Sequence, residues 1–357
     1  MTARLHRRTG FEIELMAPPG LSRRTLARDL AARHGGQVRP VWHRDSEPSL
    51  VPGLGRFLHL TQGFEVRRAD GGLLCTLVDD VTLTAGLDTR APAAPGWFRV
   101  LSDDPRLLSL LAAHGDPAAT AATVLDAPAK LWGTTVGRHG DVYRLDDPAG
   151  MTVALAAPAG GERERPCEIV TPPLTGDHAA ALEDLLGPAR ELGFTVAHEA
   201  AVHLHLDGAP FRQPHALANL VRLFAYWREP LRALLQTNPA CRRLAPLPAP
   251  LVDAVAGRPT YAQLVAAAAA GGLTKFYDVN LTQLLTDTPV RDTVEIRILP
   301  GAVHTADVVN RAALVELLLD RCLDPEPVPH APAGPATEEL LDLAAGVLAG
   351  RGATTVP

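Results

Sequence analysis

The sequence is poor in cysteine, in aromatics and in long apolar runs, and each shortage narrows what it can be. Its four cysteines, Cys75, Cys167, Cys241 and Cys322, lie far apart and form no CxxC pair. In a chain of 357 residues this argues against a disulfide scaffold and gives a thiolate zinc site no support. Aromatics are 4% of the residues, so Ala, Leu and Val must fill the core that a 46% hydrophobic content allows. No apolar run approaches the roughly 18 residues of a membrane span. Residues 1 to 10 are polar and Arg-rich, without the apolar segment of a secretory leader. The chain therefore reads as soluble and cytoplasmic. With a net charge of −6 and arginines interspersed among Asp and Glu, nucleic acid is not an expected partner.

Several nucleotide and hydrolase motifs are missing too. There is no GxxxxGK[ST] loop and no GxSxG elbow. Gly53-Leu54-Gly55 lacks the third glycine of a dinucleotide fingerprint. His198-Glu199-Ala200-Ala201-Val202-His203 looks like a zinc-protease HExxH, but its histidines are one residue too far apart and the segment reads as strand.

What the sequence does have is three stretches in which apolar and ionisable residues alternate. They are Phe11-Glu12-Ile13-Glu14-Leu15, Val202-His203-Leu204-His205-Leu206-Asp207 and Val294-Glu295-Ile296-Arg297-Ile298. Successive side chains of a strand point to opposite faces. Each stretch thus has one apolar face and one face of carboxylate, imidazole or guanidinium. Together they predict one sheet with a face suited to divalent cations and a polyphosphate.

The other elements follow from periodicity and punctuation. A helix is predicted over 21–34, with Ser22 as N-cap and Gly35-Gly36 as stop. Short strands are predicted at 57–60, 64–67 and 73–78, the last two joined by an Asp70-Gly71-Gly72 turn. A helix at 105–125 precedes two or three short strands within 133–165. Residues 167–171 read as a strand stopped by Pro172-Pro173, and 176–192 as a helix. Two strands are expected within 194–207, a long amphipathic helix over 214–236, strands at 275–282 and 293–300, and a helix over 305–323. Residues 325–335 hold five prolines and read as an irregular arm before a last helix at 337–349. The candidate residues span the chain from Glu12 to Arg297, so 1–324 is expected to act as one catalytic domain, with 325–357 as arm and helix.

Each pair of candidates has an ordinary reading beside the chemical one. Glu12 and Glu14 share a strand face about 7 Å apart, which suits two carboxylates serving neighbouring cations, or a solvated face. Glu168 before the double proline is either a rigid ligand or a surface carboxylate. His203 and His205 are metal or phosphate partners, or satisfied histidines. Glu295 and Arg297 set a metal carboxylate beside a guanidinium for phosphate, or form an ion pair. Arg242-Arg243, after Asn238-Pro239, could hold a phosphoryl group in transfer, or sit on a surface loop.

In this order the motifs resemble the amidoligase family, a branch of the carboxylate–amine ligases related to glutamine synthetase and glutamate–cysteine ligase. The matching elements are Phe11–Glu14, Glu168–Leu174, His203–His205, Asn238–Arg242, Lys275–Asn280 and Thr293–Arg297, and the resemblance covers about 10 to 320. It implies an α+β fold in which a curved antiparallel sheet forms an ATP funnel with helices on its outer face. It implies ATP as substrate and two or more Mg²⁺ ions, Mn²⁺ being an alternative. By position, Glu14 and Glu168 would bind one ion, and Glu12, His203 and Glu295 the other. His205 and Arg242, with Arg243, would face the ATP phosphates, and Arg297 the phosphoryl group or acyl substrate. Lys275 and Asn280 match positions on the nucleotide side. Asp45 matches a substrate-side element, although Glu47-Pro48 interrupts it. Residues 57–165 match poorly and are where substrate choice would be made.

The implied reaction is amide formation through an acyl phosphate. The partners would be a small or peptide carboxylate and an amine, with Asp278 or Asp287 as a candidate base. A guanidino-kinase-like phosphotransferase and a non-catalytic nucleotide or metal sensor are the alternatives. Oligomeric state is left open.

Overall fold

Alternation at period two builds the strands of this chain, while glycine, proline and capping hydroxyls end its helices. The computed structural model describes residues 4–48, 56–241, 243–286, 289–334 and 336–353. Its strands are β1 (Thr9–Met16), β2 (Gln37–Pro48), β3 (Arg56–Arg67), β4 (Leu73–Val78), β5 (Phe98–Leu101), β6 (Val136–His139), β7 (Val142–Asp146), β8 (Thr152–Pro158), β9 (Pro166–Val170), β10 (Ala201–Asp207), β11 (Val279–Asn280) and β12 (Thr293–Pro300). Its α-helices are α1 (Arg23–Arg33), α2 (Pro105–His114), α3 (Asp126–Leu131), α4 (His178–Glu191), α5 (Pro214–Tyr226), α6 (Arg228–Leu235), α7 (Ala249–Ala254), α8 (Tyr261–Ala270), α9 (Thr305–Cys322) and α10 (Thr337–Ala353). The chain is mixed, with open antiparallel sheet that does not close into a barrel. Among the described residues no helix is long and apolar enough to cross a membrane.

The chain forms two compact units. The first comprises Met1–Ile13, Pro173–Leu186 and Glu199–Pro357; the second comprises Glu14–Pro172 and Gly187–His198.

In the first unit the strands run in the order β11, β12, β10, β1. Phe11 faces Leu204, and Leu204 faces Ile296, so the apolar half of each alternating stretch meets its counterpart. All three are fully buried. Burial of this face, at about 25 cal/mol per Å² of apolar surface, fixes the register: a one-residue slip would turn the ionisable residues inward. The N-terminal approach is tied to α9, where Glu316 accepts hydrogen bonds from the backbone N–H groups of His6 and Arg7. The proline-rich arm is irregular, as its composition predicts, but it is pinned. The fully buried Asn219 donates to the carbonyls of Asp324 (2.8 Å) and Glu326 (3.0 Å) and accepts from the N–H of Val328 (3.0 Å).

In the second unit the order is β9, β4, β3, β5, β8, β7, β6, with β2 along β3. One face of β3 and β5 (Leu60, Phe98, Val100) packs on Leu107, Leu108 and Leu111 of α2 and on Ala129 of α3. Helix α1 starts on the Ser22 capping box. It ends where Gly35 takes a left-handed φ of 57° and Gly36 passes so close to the Arg67 carbonyl that a Cβ there would clash.

Several predicted elements differ in extent. Residues 57–60 and 64–67 belong to one strand, β3, and its partner β2 was not predicted. The predicted helix at 105–125 is α2 alone, ended at Gly115. The predicted helix over 214–236 is two helices, broken at Trp227. Of 194–207 only β10 is a strand, Thr195 making a single bridge to Met16. The strand predicted over 275–282 shrinks to β11, residues 279–280.

Candidate functional site

The site in the first unit follows from strand register. Glu12 faces His203 across β1 and β10, and Glu295 faces His205 across β10 and β12. Asn280 faces Glu295 across β11 and β12. Gly10 stands opposite His205, so no side chain occupies that place and Glu12 reaches both His203 opposite it and His205 on the diagonal. Its Oε2 is 3.0 Å from Nδ1 of His203, in hydrogen-bond geometry. Its Oε1 is 2.9 Å from Nε2 of His205, a close ionic contact that is not aligned as a hydrogen bond. His203 Nδ1 is also 3.7 Å from Glu295 Oε1. Glu295 is held on both oxygens: Asn280 donates to Oε2 at 2.6 Å, and Arg297 donates to Oε1.

These neighbours set the charge state. Burial alone would raise the Glu12 carboxyl, but the contacts with His203 and His205 and their positive charge outweigh it and hold the group well below the usual carboxylate range. Burial alone would raise Glu295 as well, and Arg297 together with His203 brings it below its ordinary value. Burial would lower His205; its contact with Glu12 and that residue's charge raise it instead.

The same geometry suits a cation. One ligand atom from each of Glu12, His205 and Glu295 lies within 4.8 Å of the others. Both ring nitrogens of His205 are buried without an aligned hydrogen-bond partner, the state of a ligand whose metal would complete it. Two carboxylates suit Mg²⁺, and the added imidazole also suits Mn²⁺. The residues present therefore fit a divalent ion.

A family model described as "putative amidoligase enzyme" matches residues 5–319. The chain belongs to this family. It is accordingly an enzyme of the ligase type. No curated protein matches the chain.

The remaining predicted residues of this amidoligase fall in several places. Glu14 lies on β1 at the first residue of the second unit and is buried. Glu168, on β9 of the second unit opposite Val78, is half-buried. Arg243 and Lys275 both lie over the ring of Phe276, at 5.1 and 5.6 Å from its centroid. Arg243 has a left-handed φ of 64°. The backbone of Ala245 pairs with Phe276 and Asp278, which places these two cations on the segment that runs into Asn280. Arg242 and Asp287 lie outside the described residues. Asp45 is on β2, paired with His59, and its side chain lies outside them as well.

Asp278 is 1% exposed and bonded to Arg228 at 2.7 Å and Arg232 at 3.0 Å. Burial still raises its pKa against those two arginines. An ion-paired carboxylate in this position anchors α6 to β11 and does not present a free lone pair to a substrate amine. Sequence reasoning missed Arg228 and Arg232, because both read as the polar face of an amphipathic helix.

Proposed function

We propose that this protein is an ATP-dependent carboxylate–amine ligase that forms an amide through an acyl phosphate. The observation that carries the reading is the Glu12–His205–Glu295 cluster, with Arg297 bonded to its inner carboxylate, in a chain of amidoligase membership. ATP would transfer its γ-phosphoryl group to a carboxylate oxygen of the acid. The amine nitrogen would then attack the acyl carbon, expelling phosphate and losing a proton. The chemistry needs positioning and charge neutralisation more than covalent help.

Divalent ions held by Glu12, His205 and Glu295 would supply the positive charge that polyphosphate requires. His203 would keep the Glu12 carboxylate turned toward those ions. Asn280 would do the same for Glu295, whose other oxygen is bonded by Arg297. Arg297 would stabilise charge on the group in transfer. Arg243 and Lys275 would add cations for the nucleotide phosphates. Glu295→Gln keeps the shape and the Asn280 contact but removes the charge. It is expected to lower kcat by at least about a hundredfold. Near-normal amide formation by both Glu295→Gln and Glu12→Gln would overturn the metal assignment.

A further inference from the structure

The second unit holds a polar cavity of about 170 Å³, lined by His59, Thr61, Asp79, Thr84, Arg99 and Arg163 among others. The register of β3 and β5 creates it. Thr61 faces Arg99, and His59 lies two residues before Thr61. These side chains leave the sheet opposite the face that carries Leu60 and Val100 into the α2–α3 core. Asp79 is 2% exposed and already neutralised: Arg163 donates to it, and Arg23 Nη1 stands 3.8 Å away. The other donors of Arg163 go to the carbonyls of Leu83 and Asp80.

Arg99 differs from both of these arginines. No carboxylate pairs with it among the described residues, and its Nε is buried without a hydrogen-bond partner. Thr61 Oγ1, on the facing strand, is also buried without one. Buried donors left unmade are costly, and native proteins rarely keep two side by side. Here both meet one small cavity together with one uncompensated positive charge. Their complement is a pair of acceptor oxygens with a single negative charge. A carboxylate fits, whereas a phosphate dianion would carry a second negative charge that Arg99 alone does not match. The volume is below the roughly 300 Å³ of a typical drug-sized pocket, so it suits an acid head with a few carbons and not a nucleotide.

We propose that this cavity is a recognition site for the carboxylate of an amino acid or small dicarboxylic acid, with Arg99 and Thr61 as its donors. That this acid is a substrate rests on the ligase reading; that it binds does not. The test is calorimetric titration of the full chain, without ATP or metal, using L-glutamate, succinate and inorganic phosphate in turn. Wild type should bind at least one of the two carboxylates saturably and bind phosphate more weakly. Arg99→Met should weaken that binding by about tenfold or more, and Thr61→Val by less. The ligand-free melting temperature of Arg99→Met should stay level or rise, since an uncompensated guanidinium is removed. If that variant fails to fold, Thr61→Val carries the test alone.

No binding of either carboxylate, equal affinity in wild type and variants, or a preference for phosphate would each overturn the proposal. The two readings also separate. Carboxylate binding that depends on Arg99, with no amide formed from any substrate pool, would keep this site and overturn the ligase. Amide formation with an unchanged KM for the acid in both variants would keep the ligase and overturn this site.

Discussion

The side-chain amide of Asn280 donates to Oε2 of Glu295 at 2.6 Å, while Arg297 takes the other oxygen of the same carboxylate. Glu295 is therefore aimed from both sides, and Asn280 needs no contact with substrate to matter. Asn280→Ala should weaken divalent-ion binding by about 10–100-fold, the usual cost of losing such a supporting bond. Asn280→Asp should do worse, because it sets a second carboxylate against Glu295. Titration with Mn²⁺ followed by its paramagnetic signal reads both.

His203 and His205 are two residues apart on β10 and are expected to respond differently to substitution. His203 bonds Glu12 through Nδ1, and an Asn amide can replace that donor. His203→Asn should retain most of the ion affinity that His203→Ala loses. The ring nitrogens of His205 have no aligned hydrogen-bond partner and one stands beside the Glu12 and Glu295 carboxylates, so on the proposed reading, in which that nitrogen would hold the ion, His205→Asn and His205→Ala should both lose it. Equal loss in all four variants would contradict the division of roles.

Much of this was legible in the sequence because the period is two. The alternating stretches around Glu12, His205 and Glu295 placed β1, β10 and β12 and the face they share. The diagonal reach of Glu12 was not legible, since it depends on Gly10 lying opposite His205 on another strand. Strand β2 was not predicted because Pro40, Pro48 and its many charges leave no clean alternation; pairing along the whole of β3 overrides that local weakness. Thr61-Gln62-Gly63 looked like a gap between two strands, yet these residues are continuous in β3. The apolar rhythm of 214–236 ran on past Trp227, so the break between α5 and α6 left no signal in it. Lys275 to Asp278 read as strand, but the named strand is confined to Val279–Asn280; the residues before it make only isolated backbone bonds, to Ala245 and, from the Asp278 carbonyl, to Arg297.

Asp278 gives a stability prediction. Asp278→Asn leaves Arg232 without its buried counter-ion and Arg228 with only the exposed Glu229. Removing one partner of a fully buried pair costs about 3–5 kcal/mol; both guanidiniums are about a fifth exposed, which reduces this to about 2–4 kcal/mol. Urea unfolding with an unchanged m-value measures it. A change below about 0.5 kcal/mol would show that the pairs contribute little.

The buried thiols set an alkaline limit. Burial pushes Cys75 and Cys322 up to about 12 and raises Cys167 further. In the unfolded chain a thiol ionises near pH 8.5. The unfolded state therefore loses these protons first, and stability falls as pH rises from about 8.5 toward 12. The slope approaches about 1.4 kcal/mol per pH unit for each thiol. Cys75→Ala and Cys322→Ala should each flatten the decline in melting temperature above pH 9. In native protein at pH 8, a thiol reagent should modify the half-buried Cys241 before the other three.

The most direct measurement incubates the full-length protein with Mg-ATP and pooled amino acids, amines and small carboxylates, reading phosphate release and new masses together. A ligase predicts free phosphate in step with a product whose mass is acid plus amine minus water, lost in Glu295→Gln. A stable phosphorylated product without free phosphate, or Mg-ATP binding with no turnover in any pool, would contradict it.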